Sequence, residues 1–197
     1  TPQYVMSNDT IKAGSTEKSD GRETQESVKN QDTIVINHID GISSDSARMN
    51  INLQWDDFVK MDAAELIDYY GTDIFPSVPS DLTNWDTADD FGGYGIYRRN
   101  KGTGEVYWDT TVLNYANSDI TRSVNIEVAK DRLPFVCFAV DTAKYQKSVI
   151  SEHEVYIGIS EAGYYQAQFM YHNTGFILTM EGLSEKEVIS VIQSIIK

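Results

Sequence analysis

Short stretches in which apolar and polar residues alternate recur through the second half of the chain. Between Arg122 and Lys130, Val124, Ile126 and Val128 fall on one face, while Asn125 and Glu127 fall on the other. A period of two is what a half-buried antiparallel strand requires. Similar stretches cover Val112–Tyr115, Lys147–Ile150, Val155–Ile159, Tyr164–Tyr171 and Phe176–Met180. Tyr94–Arg99 and Glu105–Asp109 flank the glycine-bearing Asn100-Lys101-Gly102-Thr103-Gly104, which reads as a hairpin turn. Asn173-Thr174-Gly175 reads as another. The longest apolar run, Phe135–Val140, has the length of a buried strand. Nearer the start, Thr33–Asn37 is β-branched and Met49–Leu53 alternates, followed by Trp55, Phe58 and Val59 as core anchors.

Two segments carry helix signals instead. Asp62 is placed to cap a helix, with Glu65 completing a capping box and Met61 and Leu66 forming a hydrophobic staple. Leu66, Ile67 and Tyr70 give its apolar face, and Gly71 stops it. Prolines at 76 and 79 then keep Ile74–Pro79 extended. At the C-terminus Ser184 caps a second helix with Glu187 as its reciprocal partner. Val188, Ile189, Val191, Ile192, Ile195 and Ile196 form a broad stripe along it. Strands in succession, joined by tight turns without helical crossovers, make a meander. The expected fold is therefore α+β: an antiparallel β-meander sheet covered by a short N-terminal-side helix and a C-terminal amphipathic helix.

Residues 1–32 differ in character. From Ser7 to Asp32 the chain is rich in Ser, Thr, Glu and Lys, with Val28 almost alone among polar neighbours. Such a stretch buries too little apolar surface to offset its ordering entropy, so it reads as a flexible polar tether or loop. Residues 33–197 read as a single α+β domain.

Composition narrows the function classes. The chain has 197 residues, 41% of them hydrophobic, as an ordinary globular domain does. No stretch approaches the ~18 consecutive apolar residues of a spanning helix. Sixteen Lys and Arg against thirty Asp and Glu leave a net charge of −14, which argues against nucleic acid and against anionic membrane surfaces. The single cysteine, Cys137, excludes an intrachain disulfide framework and reads as a small buried hydrophobe. The chain opens Thr1-Pro2 without an initiator methionine, so processing or trimming ahead of it is expected, and a signal peptide or a membrane anchor upstream would fit either.

Catalytic signatures are absent. Phe91-Gly92-Gly93-Tyr94-Gly95 lacks the Lys-Ser/Thr and the helix of a phosphate loop. Neither a Gly-x-Ser-x-Gly elbow nor a His-Glu-x-x-His helix occurs. Of the three histidines, His38, His153 and His172, only Glu152-His153-Glu154 forms a local cluster, and in a strand its two glutamates would face away from the histidine. Asp86, Asp89 and Asp90 follow no calcium-loop spacing. No metal, cofactor or catalytic residue is expected from these patterns. A hydrolase would have to draw on scattered carboxylates such as Glu152, Glu154 and Asp109. The aromatic content offers a different surface: Tyr97, Tyr107, Trp108 and Trp85 are candidate contacts for a ligand, a carbohydrate or a protein partner.

One set of residues points to a family. Glu65-Leu66-Ile67-Asp68-Tyr69-Tyr70-Gly71, Tyr94-Gly95-Ile96-Tyr97 and Gly104-Glu105-Val106-Tyr107-Trp108-Asp109 belong to it, as do Tyr164-Tyr165, Phe169-Met170-Tyr171, Gly175-Phe176 and Gly182-Leu183-Ser184. From about Met61 onward the chain resembles the C-terminal extracytoplasmic domain of Gram-positive membrane-anchored proteins described as anti-sigma-factor-like or uncharacterised. The resemblance implies a cytoplasmic part and a membrane helix upstream, and it brings no catalytic or ligand residues. The expectation is a non-enzymatic extracytoplasmic sensor or interaction domain with a protein partner or small ligand, in contact with the membrane only through its anchor. The alternatives are a ligand- or lipoprotein-binding carrier and a carboxylate hydrolase.

Overall fold

The computed structural model describes residues 32–39, 58–85, 95–99, 106–134 and 140–197, with the backbone alone for 58–60, 95–99 and 106–110. The readings for Ser7–Gln31, Met49–Leu53, Trp55, the Asn100–Gly104 turn, the aspartates at 86, 89 and 90, and Phe135–Ala139 with Cys137 lie outside them. In chain order the elements are β1 (Ile36–Ile39), β2 (Phe58–Met61), α1 (Ala63–Tyr70), β3 (Thr83–Asn84), β4 (Gly95–Arg99), β5 (Val106–Ala116), β6 (Ser123–Lys130), β7 (Ser148–Ile150), β8 (His153–Ser160), β9 (Tyr165–Tyr171), β10 (Thr174–Glu181) and α2 (Glu185–Ile195). The α+β class holds.

The strands form one sheet in the order β1-β8-β9-β10-β6-β5-β4-β2, with β3 beside β5 and β7 beside β8. Two meanders, β4-β5-β6 and β8-β9-β10, are welded by antiparallel pairing of β10 with β6 from Thr174↔Lys130 to Glu181↔Ser123. The sheet is mixed, not purely antiparallel, because β1 runs parallel to β8 from Ile36↔Ile157 to Ile39↔Ser160. Parallel neighbours need a long connection, and most of the domain lies between these two strands. Asp32 ties this edge down, accepting from Ser151 N–H and from the Gln193 amide, both at 2.9 Å.

Both helices cover one face of the sheet. Asp62 and Glu65 complete the capping box of α1, and Gly71 closes it at φ +70°. Ser184 and Glu187 do the same at the start of α2. Leu66 and Tyr70 from α1, with Val188, Val191, Ile192 and Ile195 from α2, pack on Leu113, Val124, Ile126, Val128, Phe169, Phe176, Leu178 and Met180. The Tyr70 hydroxyl bonds Thr111 Oγ1 at 3.0 Å beneath α1. Ile67, expected on the buried face, is 39% exposed. Residues four apart share a helix face, and the short α1 turns only its Leu66–Tyr70 stripe to the sheet.

Other expectations shift in detail. Val112–Tyr115 continues the preceding strand as the single long β5. The β9–β10 turn is His172-Asn173, with φ of +47° and +59°, the geometry of a type I′ hairpin. Thr174 and Gly175 belong to β10. Val140, the one described residue of the longest apolar run, is not in a strand. Gly175 has another reason to be glycine: a Cβ there would lie 2.0 Å from the carbonyl oxygen of Arg132 and 2.7 Å from Leu133 Cα. The chain leaving β6 thus crosses directly over β10 on the face away from the helices. Gly175→Ala should lower stability by roughly 1–3 kcal/mol through overpacking against backbone, measured by urea unfolding. An unchanged midpoint would mean the crossing yields freely.

Candidate functional site

A sheet with helices on one face ordinarily gives the other face to water. Here that second face is partly covered. Besides the crossing at Gly175, the Ile39 side chain occupies the space over Gly158, where a Cβ would come within 2.2 Å of it. Val140 N–H donates to Gln168 Oε1 at 2.8 Å. Gln166 and Gln168 are consequently only 6% and 3% exposed, although both alternate away from the helices with Met170.

Strand register lines up the polar groups of this face. Gln166 stands opposite Thr179, Thr179 opposite Asn125, and Asn125 opposite Asn114. The Asn125 amide donates to Asn114 Oδ1 at 2.6 Å. Beyond Asn114, Trp85 N–H donates to the Asn114 carbonyl at 2.9 Å, which extends the β3–β5 ladder by one residue. Directly opposed residues share a face, so Trp85 ends the row, 42% exposed. Five positions across adjacent strands span about 19 Å at ~4.8 Å per strand. The next row holds Gln168, Ile177, Glu127 and Val112, again in register.

Two acceptors in these rows are unsatisfied. Gln166 Oε1 is buried without a hydrogen-bond partner, the one such side-chain atom among the described residues. Glu127 is half-buried and makes no hydrogen bond or ion pair among the described residues. Burial alone pushes its carboxyl above the usual range. Val112 beside it is 36% exposed, so the row opens to solvent at that end. The signal for this site was weak in the sequence: Gln166-Ala167-Gln168 alternates, but only the pairing of five strands aligns it with Asn125, Asn114 and Trp85.

The sequence-predicted residues are only partly gathered here. Trp85 belongs to the row. Tyr97 on β4 and Tyr107 and Trp108 on β5 sit in neighbouring strands, with Tyr97 opposite Asp109 and Arg98 opposite Trp108. Their side chains lie outside the described residues. Trp108 is about 20 Å along β5 from Asn114 at ~3.3 Å per residue, so it is not beside Trp85.

The carboxylates proposed for hydrolysis do not converge. Glu152 and Glu154 border an open cleft of about 360 Å³ with Leu133, Tyr156, Gln168 and Met170. Glu154 is ion-paired with Lys147. His153 Nδ1 meets the Ser151 carbonyl at 2.7 Å, and its ring packs edge-on against Tyr171. Asp109 is on β5, which three strands separate from β8. No three His, Cys, Asp or Glu side chains converge as metal ligands among the described residues.

A second cleft, about 390 Å³, lies between Ser77–Asp81 and α2. Its walls are pinned by structure: Arg122 bridges Asp81 and Glu187 and donates to the Gly182 carbonyl. The Ser184 backbone N–H and hydroxyl, with Arg122, hold Glu187 below the usual carboxylate range. Every charge there has a partner, which leaves no group waiting for a ligand. Compared with family models, curated proteins and solved structures, the chain matches none.

The unpaired groups have measurable consequences. Gln166→Met keeps the side-chain length and removes the unsatisfied oxygen, so it should raise stability by about 1 kcal/mol in urea unfolding. A loss of stability would mean the amide is satisfied. Because the folded state holds the Glu127 proton more tightly than the unfolded chain, stability falls as pH rises from the ordinary carboxylate range through the raised folded value. Glu127→Gln should therefore raise Tm at pH 7 and leave it little changed at pH 3, by calorimetry. Equal shifts at both pH values would assign the effect to packing.

Proposed function

We propose that this chain is a non-enzymatic binding domain working outside the cytoplasm, held near the membrane by a segment ahead of it, and that it recognises its partner or ligand on the helix-free face of the sheet. The observation that carries the binding face is Gln166: a buried amide oxygen without a partner, in register with amides and an exposed tryptophan. An unsatisfied buried acceptor costs about 1–3 kcal/mol, so a glutamine at this position calls for a reason beyond side-chain packing, and in this reading the reason is recognition on this face. The polar stretch before Asp32 supports a tether, and the acidic composition suits a solvated head. Among the described residues no helix is long and apolar enough to cross a membrane, so in this reading the anchor lies elsewhere in the protein.

The apolar-carrier alternative needs room between sheet and helices. That space is filled by side chains such as Phe176, Ile126, Leu178 and Ile192, each fully buried. The hydrolase alternative needs its carboxylates together, and β5 and β8 hold them apart. Both observations favour recognition on the opposite face.

A photoreactive residue at Val112 tests the face in cells making the full-length protein, with one at exposed Ile67 on α1 as the control. Adducts are expected at 112, removed by Glu127→Lys, and none at 67; adducts at 67 alone would overturn the face. Localisation is checked on the same cells. The protein should fractionate with membranes and be cut by protease added to intact spheroplasts, whereas a protected cytosolic pool would contradict the extracytoplasmic reading.

A further inference from the structure

Resting on the binding face just proposed, we infer that the open cleft at its β8–β9 end takes an arginine or lysine side chain of a protein partner, with the cationic head at Glu152 and a peptide carbonyl at Gln168. Glu154, Tyr156, Gln168 and Met170 alternate away from the helices, so this cleft of about 360 Å³ opens on the helix-free face. Gln168 supplies a donor there. Val140 N–H occupies its Oε1, which fixes the amide, and its Nε2 donates to none of the described residues. Gln166 Oε1 is the one unpaired side-chain atom sealed from solvent among the described residues. Gln168 Nε2 therefore keeps its access to the cleft, although the residue is only 3% exposed. Glu152 supplies the acceptor. It is exposed at φ +67° in the β7–β8 turn and makes no hydrogen bond or ion pair among the described residues, whereas Lys147 already engages Glu154.

The spacing of these groups selects a long basic side chain. Tyr156 stands opposite Gln168, and Glu152 lies four residues before Tyr156, about 13 Å at ~3.3 Å per residue. Met170, 41% exposed, lies between the two ends, two residues along β9 from Gln168, and Leu133 borders the same cleft. Lys and Arg lay an aliphatic stem on such apolar surface while the charged head stays in water. A compact ammonium spans no such distance, and a hard cation wants several oxygen ligands where no three acidic or histidine side chains converge among the described residues. A diamine reaches Glu152 but brings no acceptor to Gln168 Nε2. A free amino acid would bring a carboxylate to a cleft whose described lining holds two glutamates and neither Lys nor Arg. A peptide brings cation, stem and neutral carbonyl together, and the net charge of −14 draws a basic partner towards the chain.

Nuclear magnetic resonance of the full chain at physiological salt tests this with acetylated, amidated Ala-Ala-Arg-Ala-Ala, its lysine counterpart and its uncharged citrulline counterpart. The arginine or the lysine peptide should shift the Met170 methyl group and the Gln168 side-chain amide saturably, leaving the Met180 methyl in the core unmoved. The citrulline peptide should bind about tenfold more weakly or not at all, since it keeps the stem and carbonyl and loses the charge. Glu152→Lys, at an exposed turn position, should weaken binding by about tenfold or more through like-charge repulsion. Asp68→Lys makes the same charge change on exposed α1 and should alter binding less than about twofold, being screened at that distance. Spectra unmoved by both basic peptides at millimolar concentration would overturn the inference, as would equal binding of the citrulline peptide. Equal losses in the two lysine variants would reduce the attraction to net charge and overturn it too. If the peptides fail while crosslinks still form at Val112, the binding face stands and this inference falls. If peptides bind at Met170 while Val112 stays uncrosslinked, the cleft stands and the face is confined to its β8–β9 end. If both fail, both readings fall.

Discussion

The pairing of β10 with β6 joins two three-stranded meanders across a long stretch of chain, and both faces of the sheet inherit their composition from its register. Side chains alternate with period two, so slipping one residue would turn Phe176, Leu178 and Met180 away from α2 and present Ile177 and Thr179 to it. The helix-facing side enforces the register, because its apolar residues are almost wholly buried. With about 25 cal/mol gained per Å² of apolar surface removed from water, no alternative pairing competes. The other face is then determined as well: once Leu178 faces α2, Thr179 must stand between Asn125 and Gln166.

This division of labour explains how the domain tolerates polar groups it has not satisfied. The helix-covered core, the two capping boxes and the Arg122 bridge to Asp81 and Glu187 are internally consistent and hold the strands rigidly. On the opposite face, Ile39 and the chain after Lys130 come down over Gly158 and Gly175 and withdraw Gln166 from water without offering its oxygen a donor. The two glycines make that close approach sterically feasible. An aliphatic residue at 166 is expected to cost folding less, since it would leave no buried oxygen without a donor.

What could be read from sequence follows the range of the interaction. Helix caps are local: Asp62 with Glu65, and Ser184 with Glu187, lie within one turn, and both formed as expected. Alternation in β6 is also local, and Val124, Ile126 and Val128 are all buried on one side. The parallel seat of β1 on β8 has no local signal, since edge strands are chosen by what the rest of the sheet leaves open. The sequence places the hairpin turn one residue late because Gly175 reads as its glycine, when that glycine answers to Arg132, far along the chain. The amide row has no local signal for the same reason. Trp85 is a visible aromatic in the sequence, but the residues aligned with it come from strands β5, β6, β10 and β9.

A well-packed sheet is a suitable place for the groups of the proposed binding face. Binding loses affinity when side chains and loops must be ordered at the moment of contact, at about 0.5–1.5 kcal/mol for each immobilised side chain. Gln166 is already immobilised by burial, and Asn125 by its bond to Asn114, so that loss is incurred during folding. The folded core supplies it, because Gln166 and Asn125 alternate with Ala167, Val124 and Ile126 on the same strands. Each inward residue that stabilises the sheet fixes an outward neighbour, and the proposed binding face is ordered by the face that folds.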